Sequence, residues 1–473
     1  MKRRLFVQVL LLAGSSRLVF AASNEPWDVV VVGAGAAGLS AAIAAREAGA
    51  GRVLVLEKKA FAGGHCIKAT GHINALDPEG QAKAGRVDTS ERFFEDTFLG
   101  GDRRADPQLV RTMVDGSNSA LKWLRAMGAS LKEVPTEAYT GMYPRGHLPT
   151  RGRNGLHYVQ VLMRRARELG VVVRYRTRAR SLVMGRDAVA GVEVQLKDQT
   201  TSIIRSRAVV LAAGGYGANL SLRMREAPRF DERFITTYDV KNPAADPATG
   251  DGITMAREIG AQIRDLDAIT AIPLRGGRSI DYPGADIFLT PEGERFTDET
   301  GRWRDVMLDL LRLGYSRFWV ITDNLSRKGP MFQAKLEQKL VSKADTLDEL
   351  AAALRVQPEK IKKTLERYNQ IAKTGHDSEF GRTNFTQTLE TPPYYFGEEQ
   401  FDIHYTCGGI AITTEAQVKH SKGGIILGLY AAGETTGGVH GNFRLGGNAL
   451  TDAFVFGRIA GTEAAAYARK ESD

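Results

Sequence analysis

A six-residue run near the N-terminus, Gly33 to Gly38, carries three glycines at a spacing suited to binding a pyrophosphate. It follows a β-branched run at residues 28–32 and precedes an alanine-rich helical stretch that extends to about residue 48. The first glycine would form the tight turn, the second would let the backbone approach the phosphates, and the third would let the helix pack on the strand. The phosphates would then meet the positive end of the helix dipole.

The elements that follow strengthen this interpretation. A second predicted strand, residues 52–56, ends at Glu57, whose carboxylate can accept hydrogen bonds from a ribose. Two more buried strands are predicted at residues 208–212 and 429–432, and both end in glycines. A chain that leaves a nucleotide-binding sheet and returns to it much later is typical of FAD enzymes and unusual for NAD dehydrogenases. The sequence therefore favours FAD.

The composition is that of a soluble globular protein of 473 residues with a net charge of +9. The first 23 residues carry four basic side chains and no acidic one, which leaves +5 on the remainder. No basic stripe with interleaved aromatic residues occurs, which argues against a nucleic-acid partner. A modest positive charge is compatible with an acidic redox partner or an anionic substrate.

The N-terminus has the pattern of an export signal. Lys2, Arg3 and Arg4 precede an apolar stretch at residues 5–12 that is too short to span a bilayer, and small residues follow. The Arg3-Arg4 pair resembles the twin-arginine motif, which exports proteins already loaded with cofactor. We expect a periplasmic protein without stable membrane insertion after cleavage. A membrane anchor and a generic secretion signal are the alternatives.

The two cysteines, Cys66 and Cys407, are weak evidence for a disulfide. The chain has no Cys-x-x-Cys-His heme motif, so electrons must come from another molecule. No cluster of histidines and carboxylates has the spacing of metal ligands, and we predict no catalytic metal.

The segment AAGETTGGVHGNFRLGGNAL, residues 431–450, closely resembles the fumarate reductase and succinate dehydrogenase flavoprotein family. The best match is its soluble periplasmic branch, which includes flavocytochrome c fumarate reductases and urocanate reductase, here without a heme domain. Further matching pieces occur in family order, so the resemblance covers about residues 26–470; they are Gly63-Gly64, Asn74-Ala75, Thr249-Gly250-Asp251-Gly252, Gly293-Glu294-Arg295-Phe296 and His404 to Gly409.

The resemblance implies an α/β fold with a split, Rossmann-like FAD-binding domain at 26–236 and 357–473. An α+β capping domain would be inserted at 237–356, with the substrate between the two under the flavin ring. The implied cofactor-binding residues are Gly33, Gly35, Ala36, Ala37, Gly38, Glu57, Lys58, Gly63, Gly64, His65, Gly71, Asn74, Ala213, Gly214, Asp251, Gly433, Glu434, Asn448, Ala449 and Leu450.

The implied reaction is reduction of a carbon–carbon double bond conjugated to a carboxylate. It needs a hydride from flavin N5 at one carbon, a proton at its neighbour and fixed cations for the developing negative charge. By resemblance, Arg444 and His404 hold the substrate carboxylate, because an arginine fork binds carboxylate bidentately. The family's unusual arginine acid matches Arg304, with Arg302 as the alternative.

Other implied positions at the substrate are less sharply defined. Thr406 and Gly409 belong to the same segment as His404 and are predicted to contact the substrate. An arginine acid must be reprotonated through a relay because its pKa is so high. The acids Asp281, Asp286 and Glu299 are candidates for that relay, and the sequence does not choose among them.

Two departures from the family pattern bear on the chemistry. Fumarate reductases carry a histidine for the second carboxylate where this chain has Ile272, which cannot form a hydrogen bond. We therefore expect fumarate to be a poor substrate and an acrylate-type monocarboxylate with an apolar or aromatic far end to be a better one. Arg275 and Arg278 could restore a second anion site, which keeps dicarboxylates open.

The second departure is His65. Membrane-bound succinate dehydrogenases carry a histidine at the matching position that bonds to the flavin 8α carbon, whereas soluble relatives usually have asparagine. His65 permits a covalent flavin, but we predict that it only contacts the isoalloxazine.

The expected function is thus a periplasmic terminal reductase of anaerobic respiration, supplied by a separate c-type cytochrome or quinol-linked donor. One alternative is an FAD dehydrogenase that works in the oxidative direction. Another is an electron-transfer subunit without substrate chemistry, which the candidate carboxylate-binding residues Arg444 and His404 argue against.

Overall fold

The computed structural model of the protein describes residues 25–138, 142–152, 154–239, 241–273, 286–328 and 332–471. Several sequence predictions lie outside the described residues: the export signal at 1–23, the substrate arginines Arg275 and Arg278, and the relay candidate Asp281.

The strands are β1 (Trp27–Val32), β2 (Val53–Leu56), β3 (Ile73–Asn74), β4 (Gly146–His147), β5 (Val172–Arg174), β6 (Arg178–Met184), β7 (Val189–Gln195), β8 (Thr201–Leu211), β9 (Ile263–Arg264), β10 (Ile269–Pro273), β11 (Ile287–Leu289), β12 (Arg317–Thr322), β13 (Ser342–Ala344), β14 (Tyr394–Thr406), β15 (Gly409–Ala411), β16 (Gln417–Lys419), β17 (Ile425–Ala431) and β18 (Thr436–Gly437).

The α-helices are α1 (Ala36–Glu47), α2 (Pro78–Lys83), α3 (Ser90–Gly100), α4 (Pro107–Ala126), α5 (Asn154–Glu168), α6 (Leu220–Glu226), α7 (Asp251–Glu258), α8 (Trp303–Arg312), α9 (Phe332–Glu337), α10 (Leu347–Leu354), α11 (Pro358–Thr374) and α12 (Asn448–Lys470). Across the described ranges, no helix combines the length and the apolar character needed to cross a lipid bilayer.

The main sheet has a parallel centre in the order β5-β2-β1-β8-β17. In register, Val30 of β1 lies between Leu54 of β2 and Val209 of β8, and all three are fully buried. Helices cover parallel sheets on both faces, which is why these strands are apolar throughout. The antiparallel strands β16, β6 and β7 extend the sheet. The predicted α/β class is confirmed.

The C-terminal part of the chain returns to this sheet through β17 and then forms α12, which packs on α1. A Cβ atom added at Gly461 would lie 2.0 Å from the carbonyl oxygen of Ala41, and one at Gly457 would lie 2.6 Å from that of Ala37. The two helices therefore approach backbone to backbone. This contact fixes the start of α12, and the turn before it, relative to the glycine turn before α1.

A second, antiparallel sheet has the order β10-β14-β12-β11, with β13 paired to β14. Part of its surface packs with α10 and α11 around Ile287, Leu350 and Leu365. The long strand β14 comes after residue 357, yet it pairs with β10 and β12 from before that residue. This sheet therefore joins segments on both sides of the predicted domain boundary.

Candidate active site

A cavity of about 860 Å³ lies at the carboxyl ends of β1, β2 and β8. Open parallel sheets bind ligands at this edge, and the volume falls in the range of roughly 300–1,000 Å³ for cofactor and ligand sites. The capping strands β10 and β14 and the start of α8 also line it, through Ile272, His404 and Trp303. The cavity is thus shared by the nucleotide-binding sheet and the capping sheet.

The glycine turn before α1 has a backbone that other residues could not adopt. Gly33 has φ +109°, and a Cβ atom there would lie 2.3 Å from the carbonyl oxygen of Ala212. A Cβ atom at Gly38 would lie 1.9 Å from the carbonyl oxygen of Gly33, so helix and turn are in direct contact. Gly35 is different, because nothing lies within 4 Å of its added Cβ and it is the N-cap of α1. The uncapped first turn can therefore bind an anion.

The acid at the end of β2 stabilises the same turn. Glu57 Oε2 accepts from the Ala34 backbone N–H at 3.0 Å, and Oε1 accepts from that of Lys59 at 2.8 Å. Next to it, the Lys58 ammonium donates to Asp251 Oδ2 at 3.0 Å, and Arg178 pairs with Asp251 Oδ1 at 2.8 Å. Glu57, Lys58 and Asp251, which are predicted nucleotide contacts, all line the cavity.

His65 lies in the cavity wall between two carboxylates. Its Nε2 is 2.7 Å from Asp246 Oδ1, its Nδ1 is 3.4 Å from Glu434 Oε2, and its ring stacks on Tyr238 at 5.2 Å. Burial opposes the charged form, but the hydrogen bonds to Asp246 and Glu434 outweigh it and raise the pKa of His65 to about 10. His65 is therefore an imidazolium at neutral pH.

Arg444 is a buried cation in the turn that precedes α12. Its backbone N–H donates to Thr270 Oγ1 of β10 at 2.9 Å, and its Nη1 donates to the Leu445 carbonyl oxygen at 2.9 Å. The guanidinium lies over the Tyr405 ring at 5.2 Å, and its Nε has no hydrogen-bond partner. Burial lowers the pKa of Arg444, and no carboxylate of the described residues lies at ion-pair distance from it. A buried guanidinium that has no carboxylate partner among the described residues can pair with an anion bound in the cavity.

A β-bulge brings His404 to the same cavity. Thr270 of β10 opposes Tyr405 of β14, but the next residue, Ala271, opposes Ile403, so His404 has no opposing residue. Bulges redirect side chains in this way. His404 Nδ1 is 2.8 Å from Thr237 Oγ1. Burial, reinforced by the charge of Arg444, holds the pKa of His404 well below its ordinary value, so the ring is neutral.

Arg304, in the first turn of α8, also lines the cavity. Its Nε lies 2.7 Å from Asp102 Oδ2, and its Nη1 donates to Asp305 Oδ1 at 2.7 Å. Arg302 lines the cavity as well, but its side chain is 54% exposed. The structure therefore brings Arg304, Arg444 and His404 to one cavity, as their predicted roles require.

The two relay candidates that the structure describes, Glu299 and Asp286, contact residues other than Arg304. Glu299 is fully buried and pairs with Arg295 and Arg382, both at 2.8 Å. Asp286 is buried, and the Arg382 guanidinium donates to its backbone carbonyl oxygen. Neither forms an ion pair with Arg304. Its carboxylate partners are Asp102 and Asp305, which the sequence prediction did not include.

Most of the predicted site residues line the cavity, namely Gly33, Gly35, Ala36, Ala37, Glu57, Lys58, Gly63, Gly64, His65, Gly71, Ala213, Gly214, Asp251, Ile272, Arg304, His404, Gly433, Glu434, Arg444, Ala449 and Leu450.

Two predicted substrate contacts, Thr406 and Gly409, lie away from the cavity lining instead. The Thr406 hydroxyl donates to Glu434 Oε1 at 3.1 Å, and Thr406 is fully buried. A Cβ atom at Gly409 would lie 2.3 Å from the Thr435 carbonyl oxygen, so this glycine serves close backbone packing. Tyr405 lines the cavity, so alternation along β14 directs the side chain of Thr406 to the opposite face of the strand.

Asn74, Asn448 and Gly38 also lie outside the lining. The Asn74 side chain donates to Gly446 O and to Asn448 Oδ1, both at 2.7 Å. These asparagines therefore hold the glycine turn after Arg444 in place. Gly38 serves the packing of α1 on the turn, as predicted.

The sequence prediction missed several residues, among them Asp102, Thr237, Tyr238, Asp246 and Arg178. They contact predicted residues that are far away in sequence; His65 and Asp246, for example, are 181 positions apart. No local pattern marks such residues. A hint existed for Asp246, which shortly precedes the family-like segment at residues 249–252.

The residues fit FAD on structural grounds. Like Gly35, Gly214 is in the cavity lining and has nothing within 4 Å of its added Cβ, so both leave open space beside the backbone. The cavity extends from these glycines to the guanidinium groups of Arg444 and Arg304. Within the residues that the structure describes, no set of three or more His, Cys, Asp or Glu side chains could hold a metal ion. Cys66 and Cys407 are free thiols.

Comparisons with known proteins show the family of the chain. An FAD-binding domain family matches residues 28–450. A probable fumarate reductase of Shewanella frigidimarina is 35% identical over 463 residues, which is 96% of this chain and 77% of the relative. A urocanate reductase of Eggerthella lenta is 34% identical over 469 residues, 93% of this chain and 75% of the relative.

Among solved structures, the open conformation of a flavocytochrome c3 fumarate reductase matches with a TM-score of 0.78 at 33% identity, over 95% of this chain and 79% of that one. The chain therefore belongs to the fumarate reductase and succinate dehydrogenase flavoprotein family and is an FAD-dependent oxidoreductase acting on CH–CH groups.

Proposed function

We propose that the protein reduces a carbon–carbon double bond conjugated to a carboxylate, with a preference for monocarboxylates that have an apolar or aromatic far end. The observation that carries this proposal is Arg444, a buried guanidinium with an unsatisfied Nε and no carboxylate of the described residues at ion-pair distance, in the same cavity as Arg304. Losing the partner of a buried ion pair costs about 3–5 kcal/mol, so a site with this feature is suited to an anionic ligand.

FAD held at the glycine turn before α1 would supply the hydride, from N5, for one carbon of the double bond. Arg444 holds the substrate carboxylate, where negative charge increases as the hydride arrives. When the Thr237 hydroxyl donates to Nδ1 of His404, Nε2 carries the proton and can donate to the same carboxylate. Arg304 delivers a proton to the neighbouring carbon, so hydride and proton together saturate the bond.

The preference for monocarboxylates rests on the apolar side of the cavity. Ile272, Leu99 and Phe443 line it, and none of these three side chains can donate a hydrogen bond to a second carboxylate. Related proteins named for fumarate and urocanate indicate that the far end of the substrate varies within the family.

The test is a panel of enoates offered without air to holoprotein reduced with dithionite. We expect cinnamate and acrylate to reoxidise the flavin, seen as recovery of its visible absorbance, faster than fumarate or itaconate does. If fumarate reoxidised the flavin fastest, the proposed preference for monocarboxylates would be wrong. Reduction of the oxidised flavin by the saturated acids, with no reoxidation by any enoate, would favour an oxidative dehydrogenase instead.

We further propose that FAD is bound non-covalently. Each ring nitrogen of His65 faces a carboxylate, an acceptor-only group, so each carries a proton and lacks the lone pair needed to attack the flavin. Complete release of flavin by acid precipitation is expected. Flavin fluorescence that stays with the denatured polypeptide on a gel would contradict this.

The place of action and the electron donor are proposals from the sequence. The Arg3-Arg4 pair and the apolar stretch after it support export to the periplasm by the twin-arginine route, with a c-type cytochrome or a quinol-linked protein as donor. Replacing both arginines with lysine should leave the protein in the cytoplasmic fraction of its host, whereas unchanged periplasmic recovery would argue for another route.

A further inference from the structure

The loop at residues 101–104, which follows α3, contacts Arg304 and the turn that carries Arg444, residues 440–447. Asp102 Oδ2 lies 2.7 Å from Nε of Arg304, and Arg302 Nη1 lies 3.8 Å from Oδ1. The same Oδ2 accepts a hydrogen bond at 3.0 Å from the side chain of Asn442, two residues before Arg444. Asp102 therefore links the start of α8 to the turn at residues 440–447 that carries Arg444, called the Arg444 turn below.

The loop is seated tightly on the Arg444 turn. A Cβ atom at Gly101 would lie 2.3 Å from the His440 carbonyl oxygen, and one at Gly100 would lie 2.6 Å from the Leu445 side chain. The backbone N–H of Asn442 donates to the Gly101 carbonyl oxygen at 3.0 Å. The loop thus fixes Asp102 relative to Arg444 with backbone contacts.

The backbone of the loop is strained in a way that points to a function. Asp102 and Arg103 both have φ +57°, a conformation that costs non-glycine residues free energy. Such strain persists where the surrounding contacts fix it, and it tends to occur at functional sites. Here it places the Asp102 carboxylate against the guanidinium of Arg304.

We infer that Asp102 is a positioning residue that sets the distance between the carboxylate anchor Arg444 and the proton donor Arg304. This inference rests on the proposed function. Arg304 and Arg444 belong to different segments, so the distance between them must be kept constant. A displacement of about 1 Å at a reacting centre can reduce a rate roughly 10²-fold. Among the described residues, the carboxylates that pair with Arg304 are those of Asp102 and Asp305. Asp305 belongs to the same helix as Arg304, so of these two Asp102 is the one that relates Arg304 to the turn carrying Arg444.

The chain supplies a matched pair of variants. Asp102→Asn and Asp305→Asn each remove one negative charge from beside Arg304, but only the first removes an ion pair that joins two different segments. Asparagine tolerates a positive φ well and can still accept from Asn442, so Asp102→Asn should fold and load FAD. For each holoprotein we would measure the rate of flavin reoxidation by cinnamate and the affinity for its saturated analogue, 3-phenylpropanoate, from the flavin absorbance change.

We expect Asp102→Asn to lower the reoxidation rate at saturating cinnamate by roughly 10- to 100-fold and to introduce a solvent isotope effect. Its affinity for 3-phenylpropanoate should stay within about threefold of wild type, because Arg444 is intact. Asp305→Asn, which removes a partly exposed ion pair within one helix, should change the rate by less than about fivefold. Equal rates for the two variants, or an affinity loss in Asp102→Asn that matches its rate loss, would overturn the inference. If wild type fails to reduce any enoate, the proposed function is wrong instead.

Discussion

His65 and Asp246 form an ion pair across 181 positions of the sequence, with 2.7 Å between Nε2 and Oδ1. Glu434 faces the other ring nitrogen at 3.4 Å, so the imidazolium is held from both sides. The pair joins the segment after β2 to the segment before α7 at the cavity wall. The charge state of one histidine therefore contributes to holding these two segments together.

The stability of the holoprotein should depend on this charge in the alkaline range. The pKa of His65 is raised from its ordinary 6.5 to about 10, so its stabilisation is fully present below pH 6.5 and is lost as the pH rises through about 10. We expect His65→Asn to lower the free energy of unfolding by roughly 1–3 kcal/mol at pH 6. The difference from wild type, measured by urea denaturation at several pH values, should shrink towards pH 10.5. The exposed His376→Asn serves as control, and a difference that grows with pH would contradict this account.

Arg444→Ala should weaken carboxylate binding. Truncating one partner of a buried charge pair costs at least about 2 kcal/mol, so the Kd for 3-phenylpropanoate should rise at least roughly 30-fold. Arg444→Lys should recover only part of this, because an ammonium lacks the bidentate fork.

Arg458→Ala is the matched control for Arg444→Ala. Like Arg444, Arg458 stacks on an aromatic ring at 5.2 Å, that of Trp123, but it lies outside the cavity lining. Its Kd for the same ligand should be that of wild type. A similar loss in both variants would mean that Arg444 acts through stability and not through the ligand.

Ile272→His should shift the preference towards dicarboxylates. Ile272 lies in the cavity lining on β10, and a histidine there would offer a hydrogen-bond donor to a second carboxylate. A hydrogen bond to a charged group contributes roughly 1.5–3 kcal/mol, so the ratio of fumarate to cinnamate in kcat/KM should rise at least about tenfold. Ile272→Leu keeps the volume without a donor and should leave that ratio unchanged. If both variants change the ratio of fumarate to cinnamate in kcat/KM equally, the shape of the cavity at residue 272 sets the preference, and hydrogen bonding does not.

The nucleotide-binding half could be predicted from sequence because its signals are local. The strand β1, the three glycines and Glu57 lie within 31 residues and depend on backbone geometry that only particular residues adopt. Likewise, Arg444 and His404 belong to short segments that carry the family resemblance. The structure places each of them in the cavity.

The partners of these residues could not be predicted, because the fold brings them together from distant segments. Asp102 meets Arg304 across about 200 positions, and its neighbours in sequence give no reason to expect a carboxylate at the site. The bulge at His404 was equally hidden, since a one-residue register shift leaves no trace in the pattern of β14.

The glycine turn offers a way to separate cofactor binding from folding. Gly35→Ala adds a methyl group where nothing lies within 4 Å and where φ is negative, so the apoprotein should keep its stability. The methyl group would occupy the space beside the first turn of α1, and we expect the FAD content after purification to fall severalfold. Gly33→Ala would instead meet the Ala212 carbonyl oxygen at 2.3 Å with φ +109°, and it should lower apoprotein stability by more than about 1 kcal/mol. Flavin absorbance per chain and thermal unfolding of the flavin-free proteins measure the two effects. Equal losses of apoprotein stability would show that Gly35 serves the fold and not the phosphates.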